Sequence, residues 1–161
     1  MKSRKLTFEH QILNFKNLPS EVQKMVDRAS KQTQFAYAPY SNFLVGAALL
    51  LDDDSIIGGS NQENVSYPLC MCAERVALYT YGAQLIKSKI KAIAITAQYD
   101  LKPLRQPCMP CGACRQVLQE YENRQKSPID YYATAEGIDE IVYFKGIDTI
   151  LPTAFSQATL L

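Results

Sequence analysis

The sequence is nearly without histidine. His10 is the single one among 161 residues, and it lies in a polar stretch far from any other reactive side chain. Ser-His and Cys-His nucleophile pairs need an imidazole beside the nucleophile, so that chemistry is disfavoured, and His10 is not expected to bind a metal. Neither sign of charge is in excess: 17 Lys+Arg against 16 Asp+Glu leave a net charge of +1. That balance removes the electrostatic case for a nucleic acid or an acidic membrane surface and is compatible with a small, mostly neutral substrate. No apolar run approaches the length of a membrane span. Met1 to His10 lacks the apolar centre of a signal peptide. Internal repeats, linkers and low-complexity segments are also lacking. We expect a cytoplasmic protein in a reducing compartment. Its five cysteines are an odd number gathered in two tight groups, which suits metal binding better than a disulfide framework. The length fits one domain, and 47% apolar residues are enough for one core.

Residues 1–19 show no clear period and read as an N-terminal extension, with a short strand around Leu6 to Phe8. A single domain is expected over residues 20–161. Ser20 with Gln23 fits a capping box, and Val22, Met25, Val26, Ala29 and Thr33 mark one buried helix face. Val45 to Leu51 is a near-continuous apolar run, as in a strand covered on both faces. Asp52-Asp53-Asp54 reads as a hairpin tip rather than a metal site, with Ser55 to Gly59 returning as the paired strand. Asn61-Gln62-Glu63-Asn64 reads from composition as a turn. A helix is expected from Cys72 to about Tyr81 with Gly82 as its stop. A strand follows at Ile90 to Ala97, then a proline-bearing loop to Met109. A second helix should run from near Cys111 to about Glu122, with Val117, Leu118 and Tyr121 on its apolar side. Two strands, Ile129 to Ala135 and Glu140 to Lys145, come next. Leu151 to Phe155 reads as a short helix or turn.

The chemistry concentrates in Cys72-Ala73-Glu74-Arg75 and Pro110-Cys111-Gly112-Ala113-Cys114-Arg115. Cys72, Cys111 and Cys114 offer three thiolates for a tetrahedral zinc ion and leave the fourth corner open, as a catalytic zinc requires. Glu74 places a carboxylate beside that metal without occupying it, suited to moving protons. Both helix starts would hold anions at the positive end of a helix dipole. Three thiolates on one zinc carry excess negative charge. Arg75, and with less force Arg115, are placed in sequence to offset it. A closed four-cysteine structural site that includes Cys108 remains open at this point, although Glu74 would then have no task. Otherwise Cys70 and Cys108 read as small buried apolar groups or loop thiols.

A ligand-x-Glu followed by Pro-Cys-x-x-Cys is the signature of zinc nucleobase deaminases. The chain resembles cytidine deaminases of the small-subunit class with three cysteine ligands, over about residues 20–160. Besides the two metal motifs, the resemblance is carried by Ala36 to Ala48, by Asn61 to Asn64, and by Leu151 to Phe155. It implies a fold, an α/β mixed five-stranded sheet flanked by helices on both faces. It implies hydrolytic deamination of cytidine and 2′-deoxycytidine in pyrimidine salvage, with Zn2+ on Cys72, Cys111 and Cys114 and Glu74 as the proton carrier. It also implies that Asn61 and Glu63 bond the ribose 3′-hydroxyl, that Phe43 packs on the pyrimidine, and that the Ala73 backbone meets the base carbonyl. Phe155 and the Tyr67 region would come from neighbouring subunits of a homotetramer with shared sites. The physical chemistry agrees: Asn and Glu both accept from hydroxyls, and a phenylalanine offers a flat apolar surface. Departures from the family pattern are Cys108 in a longer loop before Pro110, Met109 in place of a small residue, Gln62 in place of an aliphatic one, and the N-terminal extension. Rivals are a blasticidin-type deaminase, a polynucleotide deaminase, which the charge balance disfavours, and a non-enzymatic protein with a structural zinc or redox thiols.

Overall fold

In the computed structural model, which describes residues 3, 5 and 7–156, a six-stranded mixed sheet separates two helical layers. The strands are β1 (Gln11–Asn14), β2 (Phe43–Leu51), β3 (Ile56–Ser60), β4 (Ile90–Tyr99), β5 (Asp130–Ala135) and β6 (Glu140–Lys145), and the helices are α1 (Ser20–Gln32), α2 (Ala73–Ala83) and α3 (Gly112–Gln125). Spatial order is β1-β6-β5-β4-β2-β3. Among the described strands only β4 and β5 run parallel, and α3 makes the crossover between them.

The apolar run of β2 is explained by its two faces. Val45, Ala47, Leu49 and Leu51 point into the core beneath α2 and α3, while Ala48 and Leu50 point into the core beneath α1. A strand buried on both sides has no polar alternation to display. Met25 and Ala29 of α1 are fully buried against this second face, as the helical period requires.

The sheet has six strands where five were expected, and the extra one comes from the expected extension. Residues Gln11–Asn14 pair antiparallel with β6, from Gln11 opposite Tyr143 to Asn14 opposite Glu140. Leu6 lies outside the described residues, and Thr7 and Phe8 form no strand. Leu18 is buried in the α1 core. The capping box does not form. Ser20 is already the first helical residue, and Gln23 Nε2 instead donates to Leu18 O at 2.9 Å. Nor does Gly82 stop its helix, because α2 runs on to Ala83. A Cβ at Gly82 would lie 2.5 Å from Tyr121 Oη, so the glycine permits close packing of α2 on α3.

Glu122 of α3 ties two later segments to the helix. Its Oε1 accepts from the backbone N–H of Ile129 at 2.7 Å and of Ile147 at 3.0 Å. Burial pushes its carboxyl pKa up, and those two bonds pull against it. Glu122→Ala strands two buried N–H groups, so it should cost about 2–4 kcal/mol in urea denaturation. Glu122→Gln keeps the acceptor oxygen and should cost under about 1 kcal/mol.

Candidate active site

Two loops deliver the site to the starts of α2 and α3. The chain leaves β3 and passes Asn61, Gln62 and Glu63 in extended form rather than as a turn. Tyr37 N donates to Asn61 O at 2.9 Å, Gln62 N to Met71 O at 2.9 Å, and Glu63 N to Tyr37 O at 2.8 Å. A one-turn helix, Tyr67–Leu69, then leads to Cys72. Cys70 pins this loop, its Sγ accepting from Asn64 N at 3.2 Å. Cys72 is the N-cap of α2, and Cys111 is the N-cap of α3, each one residue before its helix. Against β3, α2 sits so close that a Cβ at Gly59 would lie 2.5 Å from both Ala73 O and Ala77 N. A glycine there sets how deeply the Cys72 end of α2 can descend.

The three sulfurs of Cys72, Cys111 and Cys114 lie within 4.8 Å of one another. The Cys72–Cys111 separation is 3.9 Å and the Cys111–Cys114 separation 3.4 Å. Zn–S bonds of about 2.3 Å at tetrahedral angles hold sulfurs about 3.8 Å apart, so the donor set fits zinc in both chemistry and spacing. Cys108 is not in this group, which leaves the four-cysteine arrangement unformed. Its half-buried thiol instead lines the neighbouring cavity, and burial pushes it up to about 12.

The charges around the cluster are arranged to hold anions. Cys72 is lowered to about 5, first by a hydrogen bond with Cys114 and then, against burial, by Arg75. Arg75 Nη2 stands 3.4 Å from Cys72 Sγ and 3.5 Å from Cys70 O. Arg115 does not join it. Its Nε donates to Pro110 O and its Nη1 to Ile150 O, both at 2.9 Å. Arg115 therefore clamps the loop before Cys111 to the chain that follows β6. Glu74, in the first turn of α2, is 3% exposed. Burial, and then the negative charge of Cys72, push its carboxyl up to about 7, where a proton carrier near neutral pH is most effective.

A cavity of about 630 Å³ opens onto the cluster, lined among others by Phe43, Asn61, Glu63, Tyr67, Ala73 and Glu74. Its size is that of a small-ligand pocket. Asn61 is braced by β2: Oδ1 accepts from Val45 N at 2.8 Å, and Nδ2 donates to Phe43 O at 2.9 Å. Each end of that amide keeps one further hydrogen-bonding position. Glu63 Oε2 accepts from Tyr40 N at 2.9 Å and Ser41 N at 3.3 Å. Burial opposes its ionisation, yet hydrogen bonds from Ser41 and from the Tyr40 backbone prevail and hold its carboxyl below the usual range. Phe43 forms one wall and is backed by Tyr99, ring centroids 5.9 Å apart. Tyr67 is exposed, packs on Tyr40 at 5.8 Å, and lines the cavity of its own chain. Phe155 lies outside that lining. Its ring is exposed, and its backbone O accepts from Gln116 Nε2 at 2.7 Å. Leu151 to Phe155 forms a turn and no helix.

Sequence reasoning passed over Tyr131. This β5 residue is buried in the core under α2 and α3, and its hydroxyl has no hydrogen-bond partner among the described residues. The only signal was a tyrosine, with its polar tip, inside an apolar strand.

Comparison with known proteins agrees with this geometry. Residues 19–127 match the model of the cytidine and deoxycytidylate deaminase zinc-binding region. The chain is 39% identical over 141 residues to a cytidine deaminase of Sporosarcina psychrophila, covering 87% of this chain and 95% of that protein. It is 40% identical over 138 residues to a cytidine deaminase of Halalkalibacterium halodurans, covering 83% and 93%. The crystal structure of cytidine deaminase from Burkholderia pseudomallei superposes with a TM-score of 0.70 at 38% identity, covering 82% of this chain and 97% of that one.

Proposed function

This chain belongs to the cytidine and deoxycytidylate deaminase family, and we propose that it hydrolyses cytidine and 2′-deoxycytidine to uridine and 2′-deoxyuridine in pyrimidine salvage. The observation that carries the reading is a buried carboxyl, Glu74, beside a three-thiolate cluster at the wall of a nucleoside-sized cavity. Cys72, Cys111 and Cys114 would hold Zn2+, which lowers the pKa of a bound water to near neutrality and so supplies a nucleophile. Glu74 takes a proton from the attacking water and passes it to the ring nitrogen beside the reacting carbon. It then takes the remaining proton from the new hydroxyl on that carbon and delivers it to the amino group, and as the carbonyl forms the C–N bond breaks and ammonia leaves. Phe43 packs on the pyrimidine, and the Ala73 N–H, unpaired within its helix, donates to the base carbonyl. Asn61, through its remaining positions, and Glu63, through Oε1, bond the ribose 3′-hydroxyl.

A site built to bond that hydroxyl discriminates against a free base, because the polar pair is left unsatisfied without it. The proposed assembly is a homotetramer in which Phe155 of one subunit reaches the site of a neighbour. Its exposed ring, away from its own cavity, supports that role. Five free cysteines suit a reducing compartment, and the proposed location is the cytoplasm.

The test is loss of ultraviolet absorbance with cytidine, cytosine and blasticidin S in parallel, with zinc per subunit measured on the same sample. Turnover of cytidine but not cytosine, with one zinc per chain, is the expected result. Turnover of blasticidin S alone would keep the chemistry and move the substrate. Zinc without any turnover would point to a structural site.

A further inference from the structure

Ser41 joins two walls of the cavity, the one proposed to meet the pyrimidine and the one proposed to meet the ribose. Its backbone N–H donates to Glu63 Oε2 at 3.3 Å, and its Oγ accepts from Phe43 N at 3.0 Å. Phe43 O in turn accepts from Asn61 Nδ2 at 2.9 Å. Hydrogen bonds therefore run without a break from Glu63 through Ser41 and Phe43 to Asn61. All four residues line the same cavity. Ser41 is the link between the other three.

The turn that carries Ser41 is fixed at both ends. Asn42 N donates to Ala38 O at 3.0 Å, and Asp100 N donates to Asn42 O at 3.3 Å. Asn42 takes the left-handed conformation, with φ 56°, which asparagine adopts more readily than most residues. The turn sets Ser41 Oγ against Phe43 N, so the oxygen accepts there and the hydroxyl proton is left to donate elsewhere. Glu63 is the acceptor at hand. Burial opposes its charge, and the Ser41 side chain leads the hydrogen bonds that overcome it. With Oε2 held by Tyr40 N at 2.9 Å and by Ser41, the carboxylate keeps one orientation, and Oε1 is left for the nucleoside. A binding group held in this way has its geometry set before the ligand arrives.

We propose that Ser41 is a positioning residue whose hydroxyl ties the Phe43 wall to the Glu63 carboxylate and so sets how strongly the site reads the ribose 3′-hydroxyl. The inference rests on Glu63 being the acceptor of that hydroxyl, as proposed above. Ser41→Ala removes the hydroxyl and keeps the backbone N–H. Ser41 is exposed, so water can take over the lost bonds, and the thermal midpoint and zinc content should stay at wild-type values. In the zinc-loaded full chain, KM for cytidine should rise about five- to tenfold, the size of one hydrogen bond, with kcat within about twofold of wild type. That split is the mark of lost binding rather than lost chemistry. An unchanged KM overturns the inference.

Binding of uridine and of 3′-deoxyuridine, measured by calorimetry, gives a readout free of turnover. The wild type should prefer uridine by at least about tenfold. In Ser41→Ala that preference should shrink by the same factor as KM rises. Ser41→Thr keeps a hydroxyl and should restore it, and a threonine variant that discriminates no better than alanine overturns the inference. Equal loss of affinity for both nucleosides in Ser41→Ala, with the preference intact, would make Ser41 a loop support only and overturns the inference alone. A wild type that binds the two nucleosides alike, or binds neither, removes Glu63 as the acceptor and takes the inference with it.

Discussion

Glu74→Gln should lower kcat for cytidine by about 10²–10⁴-fold, the usual yield of a positioned acid–base group, and leave one zinc per chain. Glutamine has nearly the shape of glutamate and still hydrogen-bonds, but it cannot carry a proton between water, ring nitrogen and leaving amine. Zinc should be retained because Glu74 is not one of the grouped residues. The fold is retained because burial already works against the carboxylate's charge. Replacing it with a neutral amide at 3% exposure should leave the thermal midpoint unchanged or slightly higher. The pairing of lost turnover with kept zinc is what separates the readings. A structural zinc protein has no turnover to lose. Zinc lost together with turnover would make Glu74 a ligand and close the open corner. Steady-state kinetics and metal analysis on one preparation decide between them.

What could be read from the sequence was what local spacing encodes. Met25, Val26 and Ala29 fall on one helical stripe, so α1 and its buried face were legible. The run through β2 was legible as a strand covered on both sides for the same kind of reason. The Cys72 and Cys111–Cys114 motifs also carry their geometry locally, because each group opens a helix. What escaped depends on residues distant in the chain. The residues of β1 are mostly exposed, so an edge strand that exists by pairing with β6 left no alternating pattern. Gly82 looked like a helix stop, but its neighbour in space is Tyr121, on another helix. Arg115 sits beside Cys114 in sequence, yet its guanidinium turns to Pro110 O and Ile150 O. Asn61 looked like part of a turn, and its amide is in fact a brace across β2. The surroundings of the Tyr131 hydroxyl are tertiary throughout, and a tyrosine in a strand pattern reads as an ordinary core aromatic.

Cys114→Ala should abolish both zinc binding and turnover, and it should cost more stability than its lost sulfur explains. Cys114 is the deepest of the three grouped cysteines, fully buried in the first turn of α3. Two thiolates on separate helix starts would remain, too few to hold zinc against water at the other two positions. A metal that binds only the folded chain stabilises it by mass action, about 4 kcal/mol when zinc is a thousandfold above its Kd. For a domain of this size each kcal/mol moves the midpoint by about 2–4 °C, so the variant should melt roughly 8–16 °C below the zinc-loaded wild type. Treating the wild type with a strong chelator should bring it down to nearly the same midpoint, and the same treatment should leave Cys114→Ala unmoved. Cys108→Ala is the control for the four-cysteine arrangement. Its sulfur lies outside the cluster, so its zinc content should equal that of the wild type. Zinc lost from Cys108→Ala would close the fourth corner and remove the room that the attacking water needs. Zinc kept there and lost in Cys114→Ala would mean that the three grouped thiolates hold the metal, with its fourth position facing the cavity that Glu74 also lines.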